Sequence, residues 1–196
     1  MTNPETTGAE RTPNPKGPRM NRVTLVIVYL SAIVAANLSI ALIGPEMSVV
    51  NAFLFIGLVL TTRDSLHDAW GKNRWRNMGL LIAVGAGISY VASVLLADSN
   101  LPPDVVAKIA LGSCAAFASA EVVDSLSYHA LKERGWDWLE RSNASNFLAA
   151  AVDSVVFVVI AFGWDWQIAF AQFGAKVAGA LLWSMVIARY REARAV

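Results

Sequence analysis

Ionisable side chains stand in this chain where the sequence is otherwise too apolar for water. Three stretches carry an aspartate followed by serine and an aliphatic residue: RDSLHDAW at 63–70, EVVDSLSYHA at 121–130 and VDSVVF at 152–157. With QFGAKVAGALLW at 172–183, they place Asp64, Glu121, Asp124, Asp153 and Lys176 in or at the ends of apolar runs. A charge at the centre of a bilayer costs about 2.5–3.5 kcal/mol on insertion scales, so such residues face a bundle interior and mark a pathway or ligand site. Asp153 lies ten residues beyond Asn143, roughly 15 Å along a helix. Lys176 lies nine beyond Gln167, roughly 14 Å from the opposite side. In a hydrocarbon core of about 30 Å both reach the midplane, where neighbouring helices could pair them.

Polar and aromatic residues recur around these charges at helical spacing. Ser113, Phe117, Glu121, Asp124 and Tyr128 form one stripe, Asn146, Asp153 and Phe157 a second, and Gln172, Lys176, Gly179 and Trp183 a third. Asn37 and Asn51 add amides. Carboxylates, amides and rings converging at mid-depth suit a flat, hydrogen-bonding, partly apolar solute better than a bare ion. A plainer role competes at several positions. Intramembrane Asn, Ser and Gln often only join helices, for about 0.6 kcal/mol each, which fits Asn37 and Ser39 equally well. Arg63 beside Asp64 can neutralise it, and both could reach water near the interface. His67 and His129 read as solvated or capping groups at helix ends, and Lys108 as a surface-seeking lysine.

The elements that must hold these residues are membrane helices. Of the 196 residues, 56% are apolar and 16% charged, and the mean hydropathy is +0.48. Soluble domains carry about 25% charged residues. A spanning helix needs about 20 mostly apolar residues, and six runs qualify: 23–43, 47–70, 78–97, 104–131, 144–163 and 167–189. GPE at 44–46, DSNLPPD at 98–104 and GWDWQ at 163–167 separate them with turn chemistry. The fold class is therefore an all-α polytopic membrane protein of six helices, occupying 22–190. Residues 1–21, rich in Pro and Thr, read as a disordered tail, and 191–196 as a short basic end.

Lys and Arg set the orientation. Fourteen of the sixteen lie in the tail, the 63–76 and 132–141 connections and the C-terminus, all on one side of a six-span chain. Both termini should be cytoplasmic in a multi-pass cell-membrane protein, with the lipid bilayer as its solvent. The net charge of +1 argues against a nucleic-acid partner. Cys114 reads as packing. The small residues Ala32/Ala36 and Ala171/Ala175/Gly179 mark close helix approach. SNASN at 142–146 has the composition of a helix N-cap. No protease, hydrolase, nucleotide-binding or His/Cys metal signature is present, so the sequence calls for no enzyme activity, cofactor, metal or catalytic residue.

EVVDSLSYHAL, SNASNFLAAAVDSVVF, AFGWDW, QFGAKVAGALLW and NAFLFIGLVLTTRDSLHDAWG, in this order, resemble the vitamin uptake transporter (VUT) family, also called queuosine precursor transporters, in its compact actinobacterial or phage branch. The resemblance covers about 22–190. It implies a six-helix carrier for 7-deazaguanine bases such as 7-cyano-7-deazaguanine or 7-aminomethyl-7-deazaguanine. The implied fold is similar to the substrate-binding subunits of energy-coupling-factor transporters. Carried over by motif, the implied site comprises Asp64, Glu121, Asp124, Asn143, Asn146, Asp153, Gln172 and Lys176. Asn37, Asn51 and Phe117 join it from the polarity pattern. TTRDSLHDAWG departs from the aspartate-rich form of longer members, which bears on the substrate more than on the fold. A deazaguanine offers adjacent N–H donors that a carboxylate can accept and a face on which Phe117, Tyr128, Phe157 or Trp183 could stack. Two functions stay open: a stand-alone carrier, or a substrate-binding subunit that needs an ATP-driven partner, with Ala32/Ala36 as the docking face. A homo-oligomer is compatible with either.

Overall fold

The computed structural model describes residues 21–44, 46–96 and 102–193, and all regular structure among them is helical. Helix α1 covers Arg22–Ile43. Helix α2 (Met47–Asn51) runs through a π-helical turn (Ala52–Ile56) into α3 (Gly57–Trp70). A 3-10 turn (Gly71–Asn73) leads to α4 (Arg74–Leu96), followed by α5 (Pro103–Glu133), α6 (Trp138–Ala161) and α7 (Trp166–Ala193). The tail at 1–20, most of the 98–104 connection and residues 194–196 lie outside the described residues; 191–193 continue α7 rather than forming a separate end.

Among the described residues, five helical runs are long and apolar enough to cross a membrane, and the second, Met47–Ile88, has 42 residues. Straight, it would measure about 63 Å, twice the hydrocarbon core. It is not straight. Asn51 bonds to Ala36 and Ser39 of α1, while Gly85 of α4 faces Leu30 and Ile33 of the same helix. The chain therefore doubles back between them. Gly71, at φ 53°, supplies the left-handed backbone that stops α3, where a side chain would be strained.

Local chemistry sets the other boundaries. The side chain of Asn21 accepts from the Val23 N–H at 3.0 Å, and Pro103 opens α5, where its missing N–H is not needed. Helix α6 starts earlier than the SNASN stretch suggests. Asp137 accepts from the Glu140 N–H at 2.9 Å, and the Glu140 carboxylate accepts from the Asp137 N–H at 3.2 Å. This reciprocal pair satisfies two end groups, so α6 begins at Trp138 and SNASN lies inside it, with Ser142, Ser145 and Asn146 buried.

Burial is inverted relative to a soluble domain. Val23, Ile27, Leu80, Leu111, Leu126, Phe147 and Phe170 are exposed, while Arg63, Asp64, Glu121, Asp124, Asp153 and Lys176 are buried. Exposed Trp75 and Trp136 lie at one end of the bundle and Trp164 and Trp166 at the other, the two levels where interfacial aromatics settle. The broadest helix interface joins α5 to α6, while α7 packs on α6, α3 and the π turn. At the last contact backbones touch: a Cβ on Gly179 would collide with the Phe53 carbonyl oxygen, and one on Gly57 would lie 2.6 Å from the Gly179 backbone. Ala32 and Ala36 are buried within the chain, with the Ala36 carbonyl accepting from Asn51 at 2.9 Å. They are not an outward docking face, because α1 turns that stripe toward its own bundle.

Candidate functional site

Polar groups collect at two levels. The first is a chamber walled by five stretches of the chain. Its walls come from α1 (Ala36, Asn37, Ile40), the α2 and π segment (Ser48, Asn51, Ala52, Ile56), α5 (Ser113, Ala116, Phe117), α6 (Asp153, Phe157) and α7 (Gln172, Lys176). The Lys176 ammonium stands 2.7 Å from Asp153 Oδ2 and donates to Gln172 Oε1 at 3.0 Å. It also lies 5.8 Å from the centre of the Phe157 ring. Removing either charge from a buried pair leaves the other uncompensated, so the two hold each other and the chamber carries no net charge from them.

The amides are half engaged. Asn37 donates to the Ile33 carbonyl at 3.1 Å and accepts from Ser113 Oγ at 2.9 Å. Asn51 spends its NH₂ on Ala36 and Ser39, leaving Oδ1 buried with no partner. Gln172 gives its oxygen to Lys176, leaving Nε2 buried and unpartnered. An orphaned acceptor and an orphaned donor thus belong to residues that share the chamber wall with Phe117 and Phe157. Buried polar groups left unpaired each cost about 1–3 kcal/mol, and a solute with complementary donor and acceptor would recover it. π turns recur at functional sites, and here one contributes Ala52 and Ile56 to the wall.

The second level lies about two helical turns nearer the basic connections. Arg63 reaches Asp124 Oδ1 at 3.1 Å and Glu121 Oε2 at 3.5 Å. His67 Nε2 meets Glu121 Oε1 at 2.5 Å, and the Ser125 hydroxyl lies 3.1 Å from both atoms. Asp64 Oδ2 accepts from Ser142 Oγ and, at 3.0 Å, from Asn146 Nδ2. Beyond it Asp68 accepts from Tyr128 at 2.9 Å, Lys132 at 3.1 Å and Arg141 at 3.3 Å.

The structure divides the sequence-predicted residues accordingly. Asn37, Asn51, Phe117, Asp153, Gln172 and Lys176 line the chamber, whereas Asp64, Glu121, Asp124 and Asn146 belong to the charged network. Asn143 stands apart, accepting from Ser184 Oγ at 2.8 Å and tying α6 to α7. Two local readings change. Arg63 pairs with α5 rather than with Asp64, and at 1% exposure it is neither a loop charge nor near water. His67, read as solvated, is 4% exposed and central to the network. Four-residue spacing of Arg63 with His67, matched by Glu121, Asp124 and Ser125 on α5, is the signal that could have located both. Of the four candidate stacking rings, Phe117 and Phe157 line the chamber. Tyr128 lies under Arg141, 5.0 Å from its guanidinium carbon, and Trp183 donates to the Leu54 carbonyl at 3.0 Å.

Lipid-length helices, an apolar exterior with aromatic ends and a polar chamber enclosed within define a multi-pass membrane protein built to handle a small molecule. The chain belongs to the family described as putative vitamin uptake transporter, whose model matches residues 50–190. The match begins in α2, so α1, which supplies Asn37, lies outside it. No curated protein and no solved structure matches the chain.

Proposed function

We propose that this transporter imports a planar 7-deazaguanine base, a queuosine precursor such as 7-cyano-7-deazaguanine or 7-aminomethyl-7-deazaguanine. The observation that carries the reading is the chamber itself: an internally compensated Asp153–Lys176 pair beside one unpartnered acceptor, Asn51 Oδ1, and one unpartnered donor, Gln172 Nε2. A guanine-like ring presents N–H donors next to a carbonyl. It would be sandwiched by Phe117 and Phe157, hydrogen-bonded by the two amides, and read on its amino edge by the Asp153 carboxylate. The chain resemblance supplies the base, and the chamber chemistry accommodates it. The doubling back at Gly71 and the one-sided basic residues support a reading of six crossings, with α3 and α4 crossing separately and both termini in the cytoplasm. The ten residues of the two levels form the solute pathway, and Asn143, tied to Ser184, holds α6 to α7 beside it.

A second reading is a substrate-binding subunit that needs an ATP-driven module. Purified protein in liposomes separates them. Saturable uptake of labelled 7-cyano-7-deazaguanine with no other component supports the carrier. Binding without uptake favours the subunit, and no binding of either base removes the deazaguanine assignment.

A further inference from the structure

The charged network lies apart from the solute chamber and gathers carboxylate and imidazole groups of its own. We propose that Asp64, His67 and Asp124 form a binding site for a divalent first-row metal cation, of the Mn²⁺ or Zn²⁺ class. One ligand atom from each lies within 4.8 Å of the others, and all three residues are buried. Asp64 Oδ1 and Asp124 Oδ2 have no hydrogen-bond partner although both side chains are fully enclosed. His67 Nδ1 lies 3.6 Å from Asp124 Oδ2, close to the separation of about 3.4 Å between two tetrahedral ligands at about 2.1 Å from a metal.

The opposite atom of each ligand is already held. Glu121 and Ser125 engage His67 Nε2, and a proton kept there by the carboxylate leaves Nδ1 as a bare lone pair. Arg63 holds Asp124 Oδ1, and Ser142 and Asn146 hold Asp64 Oδ2. Supporting partners of this kind orient metal ligands and fix the histidine tautomer. Three carboxyl groups, Asp64, Glu121 and Asp124, face one guanidinium here, and a dication shared by Asp64 and Asp124 would hold both in their charged form. Mixed imidazole and carboxylate donors suit borderline cations. A cavity lined by His67 together with exposed Gly71, His129 and Lys132 opens beside His67 at the basic end.

Helices α5 and α6 carry both levels. Phe117 to Asp124, and Asn146 to Asp153, are each seven residues, about 10 Å, so a cation here would tie α3 to α5 about two turns from the chamber, with α6 steadying Asp64 through Ser142 and Asn146. The test needs no deazaguanine and stands independently of the proposed substrate. Detergent-purified chain is stripped with chelator and titrated with Co²⁺ and Mn²⁺. Equimolar binding, visible Co²⁺ bands of mixed nitrogen and oxygen ligation, and a higher Tm on metal addition are expected. Asp64→Asn, which still accepts from Ser142 and Asn146, and His67→Gln should each weaken binding at least about tenfold, while Asp165→Asn in the α6–α7 loop should not. Absence of binding, equal binding by Asp64→Asn, or competition by equimolar Na⁺ would each overturn the site. The same holds if the network takes up two protons in the metal's place.

Discussion

Lys176 on α7 and Asp153 on α6 meet at 2.7 Å inside the bundle, each at most 3% exposed. Breaking such a pair from one side costs about 3–5 kcal/mol, whereas removing both charges is often close to neutral. Asp153→Asn and Lys176→Met should each lower thermal stability strongly, and the double variant should recover it. Uptake should stay lost in the double variant, because the proposed solute contact at Asp153 is lost with its carboxylate. Strictly additive single effects in a thermal-unfolding cycle would mean the two charges act separately.

Gln172→Leu removes the free donor in the chamber and the acceptor for Lys176. Deazaguanine affinity should fall about 10–100-fold, as when a site loses a hydrogen bond to a polar solute. Asn51→Leu should weaken binding by a similar factor. Calorimetry on purified variants reads both, and unchanged affinity in the pair would move the solute elsewhere.

Gly179 faces backbone rather than a movable side chain, so Gly179→Ala should destabilise by about 1–3 kcal/mol through overpacking. Gly174, five residues earlier on α7, meets nothing within 4 Å of an added Cβ. Gly174→Ala should therefore be neutral or slightly stabilising. Chemical or thermal denaturation in detergent compares them, and equal effects would show that the α7–π contact is looser than its geometry.

With Cys114 replaced by alanine, single cysteines at Lys72 and Lys132 should be protected from an impermeant thiol reagent in intact cells. One at Asp165 should be labelled. Labelling of all three, or the reverse pattern, would invert or dismiss the six-crossing arrangement with basic connections inside.

Arg63→Met should cost more stability than Arg141→Met. Arg63 faces Glu121 and Asp124 with 1% of its side chain exposed, whereas Arg141 meets Asp68 nearer the surface, at 14%. Buried charges lose more when a partner goes, and unfolding midpoints of the two variants give the comparison.

Membrane helices and their polar inner stripes were legible because both are local: a run of about 20 apolar residues spans lipid wherever it lies. The depth match of Asp153 and Lys176 was legible for the same reason, since helical rise converts sequence distance into height. Even the α6 start was written in Asp137 and Glu140, although the Ser/Asn-rich stretch after it drew the boundary five residues late. The partners of Arg63 and Asp64 were not readable from adjacency. Consecutive helical residues point about 100° apart, so the neighbours in sequence face different helices: Arg63 turns to α5 and Asp64 to α6. Only the tertiary packing decided that the polar residues split into a chamber and a charged network. Which helix stands beside which depends on long-range contacts, such as the Gly179 backbone against Phe53, that no local spacing encodes.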